Sequence, residues 1–166
     1  MLNYKDVTKK ARLANADVIA SALIAMGASF VGEDHQHDIY FQVQNGKLKY
    51  RKGTLGTLIT HYERMAVGLL EKTHAYRYDV NPSEAEVQQL FTTAECIGET
   101  QKIRKQYQHQ NVTIHLDELP NGEKYIEVEA KDYSNLYAES DLQQQCKALF
   151  EKLGISTNAL VETGYL

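Results

Sequence analysis

The chain has 166 residues, of which 43% are hydrophobic and 24% charged, enough for one domain over 1–166 with an ordinary globular core. Its formal net charge is -4 and its pI is near 5.9, so the overall field disfavours nucleic acid, and only locally segregated cations can serve an anion. The first ten residues lack an apolar leader core and no run reaches transmembrane length, so a cytoplasmic protein without a membrane partner is expected.

The first predicted strand, 4–13, sets Asp6, Thr8, Lys10 and Arg12 against Val7, Ala11 and Leu13. Asn15 then caps a helix through Met26, with Val18, Ile19, Ala22, Leu23 and Met26 as its apolar stripe and Gly27 as its stop. Strands 36–43 and 47–52 flank an Asn45-Gly46 turn, and the second puts Lys47, Lys49 and Arg51 opposite Leu48 and Tyr50. Strand 57–65 groups Thr60, Tyr62 and Arg64, and strand 73–80 follows. Asn81 is expected to cap a second helix ahead of Pro82, with Glu84 reaching back and Val87, Leu90 and Phe91 facing inward.

Strand 101–107 groups Lys102, Arg104 and Gln106. Strand 111–118 sets Thr113, His115 and Asp117 opposite Val112, Ile114 and Leu116. After the Pro120-Asn121-Gly122 turn, strand 124–131 alternates Ile126, Val128 and Ala130 with Glu127, Glu129 and Lys131. A last helix opens at Ser140, with Gln143 three residues on, and carries Leu142, Cys146, Leu149, Phe150 and Leu153 up to Gly154.

So many strands with such short connections imply an antiparallel sheet or barrel with helices packed outside. Each strand has a polar, ionisable face, and alternation permits two arrangements. The faces are the solvent side of an open sheet, which alternation alone favours. Otherwise the sheet closes and the faces line a tunnel, basic along most of its wall and acidic at one patch. Such a tunnel suits a polyphosphate with a divalent cation, because lysine and arginine neutralise phosphate oxygens while carboxylates hold the metal. Glu127 and Glu129, roughly 7 Å apart on one strand face, fit either arrangement. His35 and His37 share a face but lack a third ligand, so they are not read as a metal site. Tyr40, Tyr50, Tyr76 and Tyr78 are explained by strand packing, Lys47 and Arg12 by rim positions, and Cys146 by a buried free thiol.

Six segments in order resemble the CYTH superfamily, the triphosphate tunnel enzymes, and within it the class IV adenylate cyclase-like branch. They are Lys10-Ala11-Arg12, residues 32–41 (Gly32 to Phe41), residues 45–51 (Asn45-Gly46-Lys47-Leu48-Lys49-Tyr50-Arg51), residues 58–64, residues 102–107, and His115-Leu116-Asp117 running to Glu127-Val128-Glu129. The resemblance implies an α+β fold: an eight-stranded antiparallel barrel with helices outside. Its tunnel would bind a nucleotide or inorganic triphosphate and support Mg2+- or Mn2+-dependent adenylate cyclase or triphosphatase chemistry. By position, Lys10, Lys49, Arg51, Arg64, Lys102 and Arg104 look like phosphate ligands. Glu127 and Glu129, with Asp117 and Asp6, look like metal carboxylates, and a homodimer is compatible. The family's Glu-x-Glu-x-Lys is here Asp6-Val7-Thr8-Lys9-Lys10, which puts a neutral hydroxyl where a second carboxylate is usual. The glycine-rich turn before the last carboxylates reads Pro120-Asn121-Gly122-Glu123. The alternative is a non-catalytic phosphate- or polyphosphate-binding member with a degenerate metal site.

Overall fold

The structure, a computed structural model, describes residues 5–166. What the sequence suggests for residues 1–4, the start of the first strand included, lies outside them.

The elements run β1 (Lys5–Leu13), α1 (Ala16–Ala25), β2 (Ser29–Phe41), β3 (Lys47–Gly53), β4 (Thr57–Val67), β5 (Leu70–Val80), α2 (Glu84–Thr93), β6 (Cys96–His109), β7 (Val112–Glu118), β8 (Lys124–Asp132) and α3 (Glu139–Lys152). A 3-10 turn, Thr157–Ala159, and a short β9, Leu160–Val161, follow. The sheet order is β5-β4-β3-β2-β6-β7-β8-β1, and β1 returns to β5, closing an eight-stranded antiparallel barrel with the three helices outside. One edge of β1 pairs with β8 over nine positions; the other is shared by β5 at Val7 and Thr8 and by β9 at Lys10 and Ala11.

Closure turns the apolar strand faces outward, toward the helices. Val112, Ile114, Leu116, Ile126, Val128 and Ala130 form one core with Ile19 and Leu23 of α1 and Leu142, Cys146, Leu149 and Phe150 of α3. A smaller core joins Ile39, Phe41, Tyr50 and Ile59 to Leu90 of α2, and the Phe91 ring meets Phe41 edge-on at 5.1 Å. Each fully buried aliphatic side chain contributes about 1.5–3 kcal/mol, so the helices are held by these layers while the barrel interior is left to polar groups. The open-sheet arrangement is thereby excluded. Cys146 is a buried free thiol whose Sγ donates to the Val7 carbonyl at 3.1 Å. In the Asn45-Gly46 turn Gly46 has φ +71°, and a Cβ there would fall 2.2 Å from the Tyr62 carbonyl oxygen, so no side chain fits.

Helix ends depart from the expectation in two places. Asn81 takes φ +49° and its side chain accepts from the Thr57 N–H, tying it to β4. Ser83 caps α2 instead, in a reciprocal box with Glu86, not Glu84. Likewise α3 starts one residue before Ser140, because the Asp141 carboxylate accepts from the Ala138 N–H. Val18, placed on the apolar stripe of α1, is 60% exposed; Ile19 and Leu23 bury that face. Strands β2, β5 and β6 begin three to seven residues earlier than 36, 73 and 101. The added part of β2 pairs with β6 from Ser29↔Gln108 onward and is charged, with no apolar alternation to mark it.

Candidate active site

Alternate residues of the barrel strands converge on an internal cavity of about 270 Å³. Lys49 and Arg51 reach it from β3, Arg64 from β4, Lys102 and Arg104 from β6, and Glu127, Glu129 and Lys131 from β8. The side chains point inward because their in-between neighbours are the apolar residues that hold the helices.

At the basic end one carboxylate serves three cations. Asp38, fully buried, accepts from Arg51 Nε at 2.7 Å and from its terminal nitrogen at 2.8 Å, from Lys49 Nζ at 3.2 Å and from Lys102 Nζ at 3.1 Å. Burial would raise its pKa, but Lys49 and Arg51 hold it far below the usual carboxylate range. The lysines respond in the opposite sense. Burial, with Arg51 beside it, brings Lys49 to about 7. Burial with Arg51 and Arg104 brings Lys102 to about 6. A buried cluster with more cations than anions has room for negative charge.

The acidic end lies across β1, β7 and β8. The ladder sets Thr8 opposite Glu129, Lys10 opposite Glu127, and His115 opposite Glu127 on the other side. Arg64 reaches both glutamates, 3.6 Å from Glu127 and 3.3 Å from Glu129, and Lys131 lies 3.3 Å from Glu129. Against burial, Arg64 holds the Glu127 carboxyl well below its ordinary value. His115 Nδ1 is 3.5 Å from Glu127 Oε1, and burial together with Arg104 lowers the imidazole pKa, favouring its neutral form. One donor atom each from His115, Glu127 and Glu129 lie within 4.8 Å of one another. Nearby, Thr8 Oγ1 and His115 Nδ1 are buried without a hydrogen-bond partner. Two carboxylates, a neutral imidazole and an unpartnered hydroxyl make a donor set that fits a divalent cation. The other two predicted metal carboxylates are engaged differently. Asp6 accepts from the Thr73 N–H at 3.0 Å; Asp117 holds Arg104 through two bonds of 2.7 and 2.8 Å.

Residues 163–166 fold back over this cavity. The Tyr165 hydroxyl donates to Asp117 at 2.7 Å, and its ring lies 3.7 Å below the Lys10 ammonium and 5.3 Å from that of Lys102. Lys10 also donates to the Gly164 carbonyl and Lys47 to that of Leu166. Burial lowers Lys10 to about 8, although Glu127 and Asp117 oppose the shift.

The structure thus brings Lys49, Arg51, Arg64, Lys102 and Arg104 to one cavity with Glu127 and Glu129, with Lys10 beneath Tyr165 and Asp6 and Asp117 at its margins. Three members of the site were not assigned from sequence: Asp38, Tyr165 and His115. Asp38 stands opposite Arg51 on the next strand, and His115 alternates in phase with Asp117 and stands opposite Glu127, so each kept company with residues already singled out. Tyr165 lies beyond the last helix and carries no local pattern. His35 and His37 pair with Glu33 and Glu99 on the barrel exterior, and Arg12 lies 3.8 Å from Glu123 with its side chain 60% exposed.

The fold and site are those of a closed antiparallel barrel whose interior encloses paired cations and carboxylates. The chain belongs to the CYTH domain family, whose sequence profile matches residues 7–165. Similar solved structures include a protein from Pyrococcus horikoshii, 20% identical, TM-score 0.81, with 96% of each chain covered. A candidate adenylate cyclase from Vibrio parahaemolyticus is 14% identical with TM-score 0.74, covering 96% of this chain and 94% of that one. A candidate adenylyl cyclase from Hippeastrum, described as having a dominant triphosphatase activity, is 13% identical with TM-score 0.61, covering 97% and 92%. No curated protein matches the chain in sequence. Among the described residues no helix is long and apolar enough to cross a membrane.

Proposed function

We propose that the cavity binds a nucleotide or inorganic triphosphate and carries out phosphoryl or nucleotidyl transfer with a divalent cation. The observation that carries this reading is the sharing of Asp38 by Lys49, Arg51 and Lys102. Arg51 and two lysines whose charged forms burial disfavours share one carboxylate, and an incoming polyphosphate supplies the anions that hold all three charged. Arg64 and Arg104 extend the same wall, and Lys10 joins it once Tyr165 moves aside. Phosphoryl chemistry of this kind depends on positioning and charge neutralisation rather than on a side-chain nucleophile. Glu127 and Glu129 would hold the ion, which when bound neutralises phosphate oxygens. The residues around it fix the phosphate chain, keep bulk water out of a closed barrel, and set the line of attack.

A second reading, binding without turnover, is favoured by Thr8. It supplies no charge at the position facing Glu129, and Asp117 is already committed to Arg104 and Tyr165. Calorimetric titration with inorganic triphosphate and ATP, each with Mg2+ or Mn2+, combined with assays for cyclic AMP, pyrophosphate and phosphate, separates the two. Product formation is expected; tight binding without product leaves the binding reading, and no binding of either ligand overturns both. Arg51→Ala or Lys102→Ala that binds as well as wild type would count against the tunnel.

A further inference from the structure

We propose that His115 is the third protein ligand of the cation held by Glu127 and Glu129, and that this ring nitrogen makes the centre select a first-row transition ion over Mg2+. The inference rests on the triphosphate reading for the ion's presence, and on the structure of β7 and β8 for the ligand.

The ladder places His115 directly across from Glu127, with Nδ1 3.5 Å from Oε1. That separation is too long for a good hydrogen bond, which is about 2.7–3.2 Å, and Nδ1 has no other partner. The residue is only 6% exposed. A buried ring nitrogen left without a partner costs about 1–3 kcal/mol, so a group that satisfies it is called for. Ligand atoms around an ion with bonds of about 2.1 Å stand roughly 3 Å apart in cis and 4.2 Å apart in trans. The atoms offered by His115, Glu127 and Glu129, all within 4.8 Å of one another, approach that spacing with small side-chain adjustments. Thr8 Oγ1, fully buried and also unpartnered, lies on the Glu129 side as an oxygen donor.

Ligand chemistry then selects the ion. Mg2+ takes oxygen donors and binds imidazole poorly, whereas Mn2+ and the later divalent ions accept a mixed nitrogen and oxygen set. Exchanging a carboxylate for a hydroxyl at Thr8 weakens the hold on Mg2+ in particular, and an imidazole on β7 compensates only for ions that accept nitrogen. Charge couples the ion to the polyphosphate. Arg64 and Lys131 already balance the two glutamates, so a bare dication would leave the site strongly positive. Ion and polyphosphate therefore bind more tightly together than either does alone, and the ion by itself needs a higher concentration.

The test uses electron paramagnetic resonance of Mn2+ added to the whole protein with a methylene-bridged triphosphate, which resists hydrolysis and contributes no nitrogen. Electron spin echo modulation from a directly bound ring nitrogen is expected, and it shifts to the 15N pattern when histidine is 15N-labelled. His115→Ala should abolish the modulation and weaken Mn2+ on the order of 100-fold, while Mg2+ affinity changes far less. His115→Asn, with a melting curve alongside, separates ligand loss from misfolding. Bound Mn2+ without nitrogen modulation, or unaltered Mn2+ affinity in the folded variants, overturns the inference and leaves the triphosphate reading standing. If the analogue itself does not bind, that reading fails, and the same spectrum at millimolar Mn2+ alone decides on His115.

Discussion

Thr8 stands opposite Glu129 in the β1–β8 ladder, and its hydroxyl is fully buried with no hydrogen-bond partner. A valine of the same shape removes the unpaired group, so Thr8→Val should raise the stability of the ligand-free protein by about 1 kcal/mol in chemical denaturation. Thr8→Glu adds the second carboxylate on this strand, and Mg2+ should then become an effective partner for triphosphate binding. Cation dependence measured by calorimetry and unchanged from wild type would place Thr8 away from the ion.

Among the described residues Asp38 is the carboxylate that pairs with Lys49, Arg51 and Lys102, and its loss leaves all three facing one another. Asp38→Ala should cost about 3 kcal/mol of stability, the range for breaking a buried ion pair from one side. Inorganic triphosphate should recover more of that loss than it adds to the wild type, because the ligand supplies the missing charge. Equal melting shifts for both proteins would refute the role.

Lys10, Lys49 and Lys102 hold folded-state values of about 8, 7 and 6 against an ordinary 10.5. Above about pH 6 the unfolded chain therefore binds more protons than the folded one, and the contribution of these groups to stability rises with pH until about 10.5. Phosphate binding reverses the shifts, so it should take up protons and weaken as pH climbs from about 6 to 8. Calorimetry in buffers of different ionisation enthalpy reads that uptake directly. Binding without proton uptake near pH 7 would contradict the buried lysines.

Tyr165 covers Lys10 at 3.7 Å and holds Asp117 at 2.7 Å, two groups on the wall that a phosphate chain would use or approach. Tyr165→Ala should bind inorganic triphosphate several-fold more tightly, since a cation–π contact of about 1 kcal/mol no longer competes for the ammonium. Tyr165→Phe retains the ring and should show little of this gain. Weaker binding in the alanine variant would mean that the ring is part of the binding surface instead.

Much of this was legible because β-strands carry their two faces in plain alternation. The apolar set Val112, Ile114, Leu116, Ile126, Val128 and Ala130 and the opposing charged set both follow from period two. Which set faced inward did not follow from alternation; the ordered resemblance suggested it, and the β1–β5 pairing establishes it. Asp38 went unassigned because its importance depends on β3 and β6 both bringing cations to it, and its register with β6, far away in sequence, is not written in local alternation. The cap of the second helix was misplaced for a non-local reason. Asn81 and Ser83 are both capable capping residues, and the choice fell to a contact with Thr57 on a distant strand.

The barrel is joined unevenly around its circumference. Among the described residues β1 meets β5 at two paired positions, Val7↔Lys72 and Thr8↔Glu71, but meets β8 at nine. That seam is held as much by side chains as by its ladder, Lys9 to Glu71 and the Thr73 N–H to Asp6, and it is where the tube would be expected to part first. Under the proposed function, such a parting would give a polyphosphate a lateral way in, without threading through either mouth. Amide exchange at Glu71 and Lys72 ahead of the β1–β8 ladder would mark that opening, and it would set Thr8, at the lip, among the first residues an arriving ligand meets.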